Sequence, residues 1–235
     1  MKKVILILVL TLFVQELDAQ VGVINNQVQA NSYPGAQVYE IPMKTPGLIG
    51  STFLSDSWLV GDVWMTKDGV LEKMPLKYNI LEEELLFQAS KRIMMVKLHR
   101  VDSFSMLQPL YSSYTTFIVN KDWTIGDVPA VGVFQRLTRL KGYVLLKKYE
   151  IIYKDANYNK ALAVGEKDNK YVQKSSYYIL NTKSGELEHL PARKNKFEDY
   201  FQSKEISSFI KENRINFKEE QDLIKLVKYS NSLEN

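Results

Sequence analysis

The sequence predicts a mainly β (α+β) protein: an antiparallel meander forming a sandwich or partial barrel, with a C-terminal helical hairpin packed on it. Three observations carry that expectation. Between Trp58 and about Leu190, short runs alternate apolar and polar residues and are separated by turns rich in Gly. From Lys194 the apolar spacing changes from two to about 3.6 residues. Aromatic residues make up 11% of the chain, 14 of them Tyr and 10 Phe, which suits a pleated, half-buried surface.

The chain opens MKKVILILVLTLFVQELDAQ. Lys2 and Lys3 form a positive start, Val4 to Val14 an apolar core, and Leu17-Asp18-Ala19 a cleavage site before Gln20. Residues 1–19 therefore read as a signal peptide. A membrane anchor would need about 20 apolar residues, and here Glu16 and Asp18 follow the apolar run almost at once. The expected location is periplasmic or extracellular, with no membrane-spanning segment after cleavage. The chain has no Cys, which excludes a disulfide framework and a lipid-anchored lipoprotein. Roughly 215 residues remain, enough for one larger β domain with an appendage. A hydrophobic content of 45% argues for a globular core and against disorder. The formal net charge of +4 is too small to imply nucleic acid.

Residues 20–55 are rich in Asn, Gln, Pro and Gly and read as an extended lead-in, with a strand-like patch from Gln37 to Ile41 that adds an edge strand. Residues 56–192 form the β domain. Asp68-Gly69 joins WLVGDVWM to VLEKMPLKYNI as a hairpin, for which a type I′ turn is expected. In the second arm Leu76, Tyr78 and Ile80 share one face, with Lys77 and Asn79 on the other. ELLFQA then pairs with RIMMVKLHRV, YTTFIVN follows, and GVFQRLTRL turns at Lys141-Gly142 into YVLLKKYEIIY. SSYYILN turns through Lys183-Ser184-Gly185 into ELEHL.

Residues 193–235 form the helices. Ser203 caps a first helix that carries Ile206, Phe209 and Ile210. Asn216, with Glu219 three residues on, forms a capping box for a second, whose stripe is Leu223, Ile224, Val227 and Tyr229. Neither helix is long enough to stand alone in water, so both are expected to cover one end of the core rather than to recruit a partner.

The phrase LKYNI after the Asp-Gly hairpin, together with the ending FIKENRINFKEEQDLIKLVKY, resembles a group of signal-peptide-bearing, β-rich secreted or envelope proteins of Gram-negative bacteria. The likeness covers roughly Trp58 to Asn231. It implies one β domain plus helices and brings no activity, cofactor or site residue with it.

The residues offer little chemistry. His99 and His189 are far apart in predicted strands, with His99 beside Lys97 on a solvated face. No HExxH or paired-Cys ligand set is present, and no GxSxG or SxxK nucleophile context. Glu82, Glu83 and Glu84 stand in a block, unlike the spaced oxygens of a calcium loop, and read as a charged turn. Thr45-Pro46-Gly47-Leu48-Ile49-Gly50-Ser51 lacks the Lys and the strand-to-helix setting of a phosphate loop. Arg136, Arg139, Lys141, Lys147, Lys148, Lys154, Lys160, Lys167, Lys170 and Lys174 make the interval locally basic; the reading is a Lys-protected edge-strand surface rather than an anion site. No catalytic residue, metal site or cofactor is assigned.

The expected function is a non-enzymatic envelope or secreted protein with a binding or structural role toward an envelope protein, polysaccharide or lipid. One alternative is a periplasmic lipid or lipoprotein carrier with an apolar cavity; another is a carboxylate-based hydrolase acting on polysaccharide.

Overall fold

The alternating runs pair as neighbours in one large curled sheet. The structure is a computed structural model that describes residues 33, 35–42, 45–108, 112–190 and 203–233. The expected signal peptide and the start of the lead-in lie outside the described residues, as does the 191–202 connection to the helices.

The strands are β1 (Ala36–Val38), β2 (Leu48–Ile49), β3 (Leu59–Met65), β4 (Gly69–Asn79), β5 (Glu84–Ala89), β6 (Arg92–Lys97), β7 (Val101–Gln108), β8 (Ser113–Asn120), β9 (Thr124–Ile125), β10 (Val128–Pro129), β11 (Gly132–Arg136), β12 (Tyr143–Lys154), β13 (Asn169–Asn181) and β14 (Leu187–His189). The sheet order is β1-β6-β5-β4-β3-β7-β8-β11-β12-β13-β14, with β2 beside β13, and β9 and β10 form a small separate hairpin. The meander thus runs outward in both directions from β3. All pairings between neighbours in this order are antiparallel, and β2 pairs parallel to β13. The two ends of the order do not meet, so the sheet is not a closed barrel. It curls nonetheless: a Cβ on Gly132 of β11 would lie 3.3 Å from the Glu83 carboxylate in the β4–β5 turn.

Most local expectations hold, and the departures have identifiable causes. The Asp68-Gly69 hairpin forms, but Met65 pairs with Gly69 across three residues, and only Gly69 has a positive φ (82°). That geometry belongs to a three-residue loop closed by a left-handed Gly rather than to a type I′ turn. Leu76, Tyr78 and Ile80 are buried together as expected, yet Asn79 is buried too, its side chain accepting the Glu82 N–H. RIMMVKLHRV is not one strand. A 3₁₀ turn over Leu98–Arg100 ends β6 and starts β7, so His99 lies exposed in that turn and not in a strand. The central strand β7 was not legible because Asp102, Ser103 and Ser105 interrupt its apolar residues.

Side-chain alternation gives the sheet two distinct faces. The inner face collects Leu59, Val63, Leu76, Leu85, Phe87, Val96, Phe104, Met106, Phe117 and Val133, with Tyr149 and Ile151 of β12 packed against them. Phe104 and Phe117 stack at 4.8 Å between ring centroids. On the outer face Phe134, Val144, Leu146 and Leu180 form a smaller cluster, covered by Trp123 and Ala130 from the arm that carries β9 and β10.

The two helices, α1 (Lys204–Glu212) and α2 (Glu220–Leu233), pack on the inner face of β12 and β13 through Leu145, Ile179, Ile206, Ile210, Leu223, Leu226 and Val227. Ser203 caps α1 as expected, its hydroxyl accepting the Ile206 N–H at 3.3 Å. The expected Asn216–Glu219 box does not form. Asp222 is the side chain that reaches back to the Asn216 N–H, because α2 starts at Glu220 and not one turn earlier. Leu226 and Ser230 complete the buried stripe, while Ile224 and Tyr229 are only partly covered.

Candidate functional site

Along several strands the inner-facing row changes character at one end. On β7 it runs Phe104, Met106, Gln108; on β8, in reverse, Val119, Phe117, Thr115, Ser113; on β11, Val133, Gln135. On β12 the row carries Leu145, Lys147, Tyr149 and Ile151, and on β13 Gln173, Tyr177 and Ile179. Register brings the polar members side by side, since Gln108 pairs with Ser113 and Gln135 with Lys147. A row that faces a core is ordinarily apolar, and polar groups there are the informative exception.

These residues floor a cleft of about 540 Å³ lined by Gln108, Ser113, Thr115, Gln135, Tyr149 and Gln173. Leu54, Ser55 and Leu59 also line it, together with Glu220 and Gln221, the first residues of α2. The volume lies within the range of about 300–1,000 Å³ usual for small-molecule sites. Among the described residues the side chains of Gln108, Gln173, Gln221, Ser113 and Thr115 make no hydrogen bond within the protein.

The rest of the lining is fixed by a short network. The Tyr149 hydroxyl donates to Gln135 Oε1 at 2.6 Å, which orients that amide with its NH₂ as a donor. Lys147 Nζ donates to Glu220 Oε2 at 2.8 Å, and the Tyr177 hydroxyl donates to the same oxygen at 3.1 Å. The ammonium also lies over the Tyr149 and Tyr177 rings, 5.1 and 5.5 Å from their centroids. Burial by itself pulls the Lys147 pKa down, but the hydrogen bond to Glu220 and the charge of that carboxylate outweigh it and hold the ammonium above its ordinary value. Burial pushes both tyrosine hydroxyls up, so they stay neutral donors. Among the described residues the one acid in the lining is therefore matched by a cation, and that lining is close to neutral.

The residues singled out in sequence do not converge here, apart from Lys147. Glu84 pairs with Lys97 at 2.6 Å, Glu83 sits in the β4–β5 turn, and Glu82 is exposed. His189 lies on β14 against the Tyr178 ring, on the outer side. Among the described residues no three His, Asp or Glu gather as a metal would require. The basic run is dispersed. Lys147 points inward to Glu220, Lys148 lies over Phe134 on the other face, and Lys170 pairs with Glu166 near the far end of the β12–β13 hairpin. Its centre, β12, is an interior strand and not the edge that was expected. The amide cluster was missed, although Gln108 and Gln135 standing in the apolar phase of their strands was a signal that could have exposed it.

Comparison with protein-family models, with curated proteins and with solved structures finds no match.

Proposed function

We propose that this is an exported, non-enzymatic binding protein, and that its ligand site is the polar cleft between the sheet and α2. One observation carries the reading: a neutral patch of unpartnered amides and hydroxyls interrupts an otherwise apolar inner face, on strands held rigid by the sheet. Export rests on the residues that open the chain, from Lys2 to Ala19.

The alternatives draw less support. A carboxylate hydrolase needs two acids flanking the bond, and this cleft presents Glu220, already bound to Lys147. A lipid carrier needs an apolar hollow, whereas Phe87, Phe104 and Phe117 fill the apolar end of the inner face and the open end is polar.

The test is mild purification of the mature protein from the envelope fraction, followed by native mass spectrometry. A bound molecule is expected, together with an amino terminus at Gln20. The molecule should be absent from a Gln108→Ala, Gln173→Ala variant that melts like the parent. Retention of the molecule by that variant refutes the cleft as the site, and an intact Met1 refutes export.

A further inference from the structure

We infer that the cleft takes a neutral saccharide, a short stretch of an envelope glycan, read by the amides of Gln108, Gln135, Gln173 and Gln221. The inference deepens the binding function proposed above and rests on it.

Charge narrows the ligand first. Among the described residues the lining holds one ionised group, Glu220, and Lys147 and Tyr177 occupy its Oε2. An anion would meet no unpaired cation among the described lining residues, and a cation would compete with an ammonium held at 2.8 Å. Either would lose its hydration for little return. A neutral ligand pays no such penalty.

Hydrogen-bond character narrows it further. The amides of Gln108, Gln173 and Gln221 each present two donors and an acceptor, Gln135 presents its NH₂ donors, and each Ser or Thr hydroxyl presents both roles. Four amides and the hydroxyls of Ser113 and Thr115 on one small surface suit a molecule dense in groups that both donate and accept, which a sugar's vicinal hydroxyls are. Leu54 and Leu59 give the apolar contact on which the C–H face of a sugar ring can rest.

Backbone geometry separates the saccharide from a peptide. An extended peptide is ordinarily held by main-chain pairing to a strand edge. Here the floor is the face of β7, β8, β11, β12 and β13, whose backbone groups bond to one another across the ladder. Recognition therefore falls to side chains projecting from that face. The position of α2 bears on this as well, because Gln221 lines the cleft next to Glu220, which Lys147 pairs with from β12.

The experiment is a titration of the isotope-labelled mature protein, following the side-chain NH₂ resonances of Gln108, Gln135, Gln173 and Gln221 by NMR. The probes are cello-, malto- and chito-tetraose, a neutral tetra-alanine peptide with blocked ends, and inorganic phosphate. At least one tetrasaccharide should shift these resonances saturably, and the peptide and phosphate should not. Gln108→Ala with Gln173→Ala, two side chains without a hydrogen bond inside the protein, should weaken that binding by about tenfold or more, as expected for the loss of two neutral hydrogen bonds, with an unchanged melting temperature. Shifts from the peptide or phosphate with none from any saccharide overturn the saccharide inference and leave the binding cleft standing. No shift from any probe overturns the saccharide inference, and with a native preparation that carries no bound molecule it overturns the binding function too.

Discussion

Replacing Leu223 with Ala tests whether α2 belongs to the core and thereby shapes the cleft. Leu223 is fully buried, one turn into α2 from Glu220 and Gln221, and clusters with Leu145 and Ile179 of the sheet and Ile206 and Ile210 of α1. The substitution removes about three carbon groups, worth about 2.4 kcal/mol at about 0.8 kcal/mol each. A cavity term adds to this, because the sheet side of the contact cannot collapse into the gap. The measured range for buried Leu→Ala is about 2–5 kcal/mol, and about 3 kcal/mol is expected here. For a chain of this length each kcal/mol shifts the melting temperature by about 2–4 °C, so the variant should melt about 6–12 °C below the parent. Calorimetry and urea titration should agree, with an unchanged urea slope. Lys225→Ala, on the exposed side of the same helix, should change stability by about 0.5 kcal/mol or less. A Leu223→Ala variant that melts like the parent would refute the packing of α2 as described.

Three further outcomes are expected. Gly61→Ala should destabilise by about 1–3 kcal/mol or prevent soluble expression, because a Cβ there collides with the Ser105 carbonyl of β7 across the centre of the sheet; parental melting would show that β3 and β7 are not so close. Glu220→Gln should cost about 1–3 kcal/mol by leaving the half-buried Lys147 ammonium without its counter-charge, and Lys147→Met on that background should restore most of the loss; a double-mutant cycle with no coupling would refute the pair. Stability should fall as pH drops below about 4: hydrogen bonds from Lys121 and Thr66 hold Asp102 below the usual carboxylate range, and the Asn216 N–H does the same for Asp222. Their contribution is complete above the unfolded values and lost as pH falls through the lower folded ones, so a melting temperature that is flat from pH 5 to about 2 would contradict both contacts. In the same scans the Lys147 contribution, with its raised folded value, should persist through about pH 10 and disappear only above it.

Sequence alone determined what depends on local geometry. Side chains alternate along a strand whatever it pairs with, so Leu76, Tyr78 and Ile80 could be placed on one buried face, and the hairpins at Asp68-Gly69, Lys141-Gly142 and Ser184-Gly185 could be found from their turn residues. The Ser203 cap was legible because its bond closes within three residues. Where a local signal was ambiguous, the chain's surroundings decided it. Glu219 and Asp222 could each have reached the Asn216 N–H, and the docking of α2 selected Asp222.

The tertiary structure decided whatever joins distant positions. Strand β7 is polar enough to read as a loop, yet it lies beside β3 because Phe104 and Met106 supply the inner face there. The direction of curl, the covering of the outer cluster by Trp123, and the seat of the helices all follow from which apolar faces can be buried together, and alternation within one strand does not specify that. The cleft is the clearest case. Gln108, Gln135 and Gln173 are each unremarkable in their own segments, and Lys147 meets Glu220 across 73 positions. They become a site only because antiparallel register stacks the polar ends of several strands on one side, and the burial of Leu223 brings the start of α2 over them.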